Sequence, residues 1–231
     1  MEDELRTEST QLREKNQLQN EVAILVTETL QKLLEEGNIE TAKKVVDDYL
    51  DIAKIDTDTM ELKKQKFNFT SLASQAVEAF LPHAAEKNID LKNLTSDSEL
   101  DVNADYNRMA QVLINLLSRA IKISPDNSHI SVQVTDAGDE LTVEIQDQGR
   151  SLERNEIHKI INRPDLIKEQ FHAGQEDLIL GLRIAKEFIE MHGGHIWAES
   201  SEAKQNILCF TVPKSGVRQE DKIQVSSADA I

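Results

Sequence analysis

Apolar positions in the first 60 residues recur at helical spacing and do not alternate. Leu12, Leu18, Val22, Leu25, Val26, Leu30, Leu33 and Leu34 form one stripe; Val45, Val46, Tyr49, Leu50, Ile52 and Ala53 form a second. Between them lies Gly37-Asn38, two residues that tolerate left-handed backbone and suit a turn. The pattern predicts a helical hairpin over residues 1–62. Two helices cannot cover their own apolar stripes, so the hairpin is expected to dimerise into a four-helix bundle.

From about Phe67 the period changes and helices alternate with strands. Helices are predicted at 71–87, 106–123 and 178–191, and strands at 129–135, 141–146, 194–199 and 206–212. Gly138-Asp139 suits the hairpin turn between the first two strands. Residues 215–231 are polar and aperiodic and read as a disordered tail. The expected organisation is a hairpin (1–62), an α/β domain (63–214) and a tail (215–231).

Charge narrows the partners. A net charge of −16 argues against nucleic acid or an anionic membrane surface, which need clustered Lys and Arg. It also opposes a polyanionic nucleotide unless cations gather locally. The single Cys209 lies in an apolar run and reads as a core thiol. One cysteine forms no intramolecular disulfide, which fits a reducing, cytoplasmic setting. No apolar run approaches the ~18 residues of a membrane span, and the N-terminus is charged, so no membrane insertion is expected.

Four stretches in order carry a resemblance. "DYLDIAKIDTDTMEL" (48–62) resembles the end of the dimerisation hairpin of two-component sensor histidine kinases, and "DYNRMAQVLINLLSRAIKIS" (105–124) resembles their N box. "VEIQDQG" (143–149) resembles their first glycine box, and "LGLRIAKEFIEMHGGHIWAES" (180–200) their second with the strand after it. The resemblance implies an α+β fold, a hairpin followed by the two-layer α/β sandwich shared by gyrase, the ninety-kilodalton heat-shock chaperone and histidine kinases. That family binds ATP-Mg²⁺ between the N-box helix and a mobile lid.

Residue by residue, the resemblance is damaged. Asp147 matches the family's acceptor for the adenine amino group, or it opens a turn with Gly149. Lys122 matches the basic residue that reaches phosphate, or it is a solvated helix lysine. Asn115 falls at the family's general-base or secondary position, or it faces the sheet from its helix. Arg119 stands where the family's Asn ligates Mg²⁺, and a guanidinium has no lone pair to offer a cation. The second glycine box reads Asp177-Leu178-Ile179-Leu180-Gly181, where the family has Gly-x-Gly-x-Gly so that backbone amides approach phosphate. β-Branched Ile179 disfavours the φ values required, and Asp177 places negative charge where the γ-phosphate belongs. Ser151 replaces a glycine of the first box. Only Gly149 and Gly181 remain.

The phosphoacceptor is missing as well. The six histidines are at 83, 129, 158, 172, 192 and 195, all beyond the hairpin. "DELRTEST" (3–10) puts Asp3 in the acceptor's place, and "NQLQNEV" (16–22) puts Asn16 there; the spacing leaves the register open. His192 and His195 flank two glycines and read as a helix C-cap, and Trp197 as a core or sheet-face residue. The expectation is a degenerate histidine kinase with no metal and no required cofactor, any ATP binding being weak. It would act as a homodimeric scaffold for a receiver domain or a partner kinase. One rival is a nucleotide-binding module in which Arg119 and Lys122 neutralise phosphate in place of Mg²⁺. Others are a residual ATP-dependent histidine kinase and a trans-acting serine-type kinase, the latter disfavoured by the lost metal and glycine positions.

Overall fold

The computed structural model describes residues 37–96, 98–149, 176–200 and 206–215, with scattered positions between 23 and 35. For residues 40, 176–179 and 200 it describes the backbone alone. Asp3, Asn16, Ser151, the side chains of Asp177 and Ile179, and the tail beyond residue 215 lie outside the described residues. The chain divides into two compact units, residues 1–60 with 159–183 and residues 61–158 with 184–231.

The first unit is helical where it is described. Thr27 donates its hydroxyl hydrogen to the Ala23 carbonyl at 2.8 Å, a helical i−4 contact. The chain turns at Gly37 (φ 71°), and Asn38 caps α1 (Ile39–Asp56) by accepting the Thr41 amide on Oδ1. Helix α1 buries Ala42, Val45 and Ile52 and leaves Ile39, Val46 and Leu50 exposed. At its end Asp56 accepts from Arg183 at 3.2 Å.

The second unit runs β1 (Gln65–Asn68), α2 (Phe69–Glu86), β2 (Asp90–Asn93), β3 (Asp101–Ala104), α3 (Tyr106–Ile123), β4 (His129–Asp136) and β5 (Glu140–Asp147). It ends with α4 (Glu176–Met191), whose first half belongs to the first unit, then β6 (Ile196–Ser200) and β7 (Asn206–Pro213). Strands β1 and β3 form a small antiparallel ribbon. The main sheet has the order β2-β4-β5-β7-β6, with β2 parallel to β4 and every other pair antiparallel.

Alternation builds the sheet's inner face. Ile130, Val132 and Val134 of β4 lie inward beside Leu141, Val143 and Ile145 of β5, and Leu208, Phe210 and Val212 of β7 continue the row. Helices α2 and α3 cover that face with Phe69, Leu72, Met109, Leu113, Leu116 and Leu117, completing a two-layer sandwich. The period-2 expectation finds β4 to β7. It does not find β1, β2 and β3, which are four residues each and too short to display an alternation. Trp197 lies half-buried on the sheet face, and Cys209 is buried, its thiol pushed up to about 12 by burial. Among the described residues no helix is long and apolar enough to cross a membrane.

Candidate functional site

Helix α3 is held at its N-terminus by Asp105. That carboxylate caps the helix, accepting the Asn107 and Arg108 amides on Oδ1, and takes the Lys63 amide at 2.8 Å on Oδ2. The Asp105 amide in turn donates to Nε2 of His192 at 2.9 Å, while Nδ1 of His192 meets the Phe188 carbonyl at 2.7 Å. With one ring nitrogen accepting and the other donating, His192 is a neutral tie between the end of α4 and the start of α3. Burial lowers its pKa below the ordinary value, which favours that neutral form. It also ends α4, its amide reaching the Phe188 carbonyl. His195 is engaged separately, with Thr211 at 3.0 Å and stacked on Trp197.

With the helix fixed, its inward face brings Asn115 and Arg119, four residues apart, under the sheet; both are buried, whereas Lys122 is exposed. Opposite them β5 ends in Asp147, 1% exposed. Strand register sets its surroundings, because Asp147 pairs with Asn206, the first residue of β7. Asp147 Oδ1 accepts the Gly149 amide and the Asn206 side-chain amide, each at 2.9 Å. Asn206 also reaches the Gly149 carbonyl at 3.3 Å. Arg119 Nη1 stands 3.6 Å from the other oxygen, Oδ2. Gly149 is needed for space: a Cβ there would come within 2.7 Å of Ile123 Cγ1.

The predicted residues are therefore partly assembled. Asp147, Gly149 and Arg119 meet; Asn115 and Lys122 share the helix; Gly181 is a buried position on α4 in the other unit. Asn206 escaped sequence reasoning, its only signal being a polar residue opening an apolar strand. Burial depresses the Arg119 pKa and the Asp147 charge opposes that shift, yet a guanidinium titrates so high that it stays charged. The arrangement does not fit Mg²⁺. A buried guanidinium has no lone pair to offer and repels a cation.

Residues 104–216 match the family described as "Histidine kinase-, DNA gyrase B-, and HSP90-like ATPase". The sensor histidine kinase WalK of Bacillus subtilis is 27% identical over 191 residues, which cover 82% of this chain and 31% of that protein. A solved catalytic domain of histidine kinase ThkA is 30% identical, with a TM-score of 0.57 over 68% of this chain and 98% of the domain. A structure of ThkA with response regulator protein TrrA aligns at 23% identity and TM-score 0.57, over 89% of this chain and 61% of that one, a likeness of fold. The chain spans a third or less of the length of the curated relatives it matches.

Proposed function

The chain belongs to the histidine kinase family, and from that premise we propose that it is a degenerate member, a pseudokinase. It binds a response-regulator receiver domain or a partner kinase, as a homodimer, and transfers no phosphoryl group itself. Residues 1–62 serve as the dimerising hairpin and 63–214 as a catalytic-type domain retained for its surface. One observation carries the reading: the buried guanidinium of Arg119 lies at the family's metal-ligand position, 3.6 Å from Asp147. The resemblance aligns Arg119 with the family's metal ligand and Asp147 with its adenine acceptor, and the guanidinium of the one faces the carboxylate of the other. The missing hairpin histidine and the replaced glycines, Asp177, Ile179 and Ser151, point the same way. The ThkA–TrrA complex supports the kind of partner.

The test is incubation of the full chain with labelled ATP and Mg²⁺, followed by acid and alkali treatment. No acid-labile phosphoprotein is expected. Phosphohistidine at any of the six histidines would overturn the proposal and restore an active kinase.

A further inference from the structure

Residues 57–64 join α1 to β1, and in that segment the Lys63 amide donates to Oδ2 of Asp105 at 2.8 Å. The place of Asp105 is set in turn by His192, whose Nε2 takes the Asp105 amide at 2.9 Å. On its other side the ring meets the Phe188 carbonyl through Nδ1 at 2.7 Å. The residue is 2% exposed, so solvent has little access to either contact. Three pieces of chain far apart in sequence therefore meet through one imidazole: the segment after α1, the start of α3 and the end of α4.

Those contacts admit a single protonation state. A backbone carbonyl only accepts and a backbone amide only donates, so the proton sits on Nδ1 and Nε2 is bare. A second proton would put a hydrogen on Nε2, aimed at the hydrogen of the Asp105 amide across 2.9 Å. Two donors cannot share that space, and the contact must open. Asp105 then loses the anchor of its backbone, and its Oδ2 is drawn away from the Lys63 amide.

The groups around the ring decide when this happens. Burial has the largest effect and holds the His192 pKa below its ordinary 6.5; the Phe188 carbonyl and the Asp105 carboxylate favour the charged ring, and Lys64, next to Lys63, opposes it. Since folding lowers the pKa, the unfolded chain takes up the proton more readily than the folded one. The contact contributes fully above pH 6.5 and is lost as pH falls below that value.

We propose that His192 is a proton-operated clasp, which holds the segment between α1 and β1 on the second unit while neutral and releases it when protonated. The clasp is independent of whether the chain transfers phosphate.

Amide hydrogen exchange on the full chain, corrected for the intrinsic effect of pH, tests this beside an NMR titration of the His192 ring. Between about pH 7.5 and about pH 5 the protection of the Lys63 and Asp105 amides is expected to fall several-fold, in step with the ring. That of Val143, in the middle of the sheet, should hold. His192→Gln has no proton to take up, so its Lys63 protection should be the same at both pH values. Lys64→Gln leaves the clasp in place but removes the cation facing it, and the release should move to higher pH. This second variant keeps the test open if His192→Gln fails to fold. Lys63 protection that ignores pH in the wild type, a release that persists in His192→Gln, or a midpoint unmoved in Lys64→Gln overturns the clasp.

Discussion

Arg119 and Asp147 are both buried and lie in each other's field, so neither charge can be removed cheaply alone. Asp147→Asn keeps the shape and the Gly149 and Asn206 region but leaves a buried cation without its counter-charge. The expected loss is about 3–5 kcal/mol of folding stability. Arg119→Met is milder, about 1–3 kcal/mol, because Asp147 keeps two hydrogen bonds on Oδ1. The double variant, with neither charge, should recover to within about 1 kcal/mol of wild type, since a buried pair can be replaced by neutral groups at little cost. Urea denaturation of the four proteins closes the cycle. Purely additive losses would mean that the two side chains do not interact.

At the scale of elements, the turn from α4 into β6 is the most tightly constrained joint. A Cβ at Gly194 would lie 2.0 Å from the Thr211 carbonyl oxygen, a backbone atom of β7 that cannot swing aside. Gly194→Ala should therefore cost about 3 kcal/mol or more as the strand is pushed away. Gly138→Ala is the control: its φ is 91° but nothing lies within 4 Å, so only backbone strain of about 1 kcal/mol is expected. Denaturation midpoints separate the two, and a Gly138 variant as damaged as the Gly194 one would refute the steric account. What the sequence disclosed follows the same logic. Helices α2, α3 and α4 and strands β4 to β7 were legible because each carries its own periodicity over five residues or more. The four-residue β1, β2 and β3 were not, since they owe their existence to partners far along the chain, as Gln65 does to Ala104. At the site, Asp147, Gly149, Arg119 and Lys122 could be named from motif position. That Arg119 turns to Asp147, and that Asn206 completes the carboxylate's shell, depends on α3–β5 packing and β5–β7 register, neither of which is written in any local stretch.

At the scale of the whole molecule, α1 of the first unit presents an exposed apolar stripe among the described residues. Ala42, Val45 and Ile52 are already buried within that unit. On another side of α1, Ile39, Val46 and Leu50 recur at seven and four residues and remain exposed, Val46 at 40% and Leu50 at 49%. Single exposed apolar residues mean little, but three in one helical row on a helix of 18 residues make a seam that water disfavours. A second copy with the same row would bury it in a symmetric, self-complementary contact, giving four helices in one bundle. Light scattering on the full chain should report twice the 26.0 kDa of one chain at tens of micromolar. A fragment starting near Lys66 should be monomeric. Replacing Val46 and Leu50 together by Glu should return the full chain to monomer while its helical circular dichroism signal persists, because both positions are exposed in the single chain. A full-length protein that is already monomeric, or a double variant that stays dimeric, would show that the seam lies elsewhere.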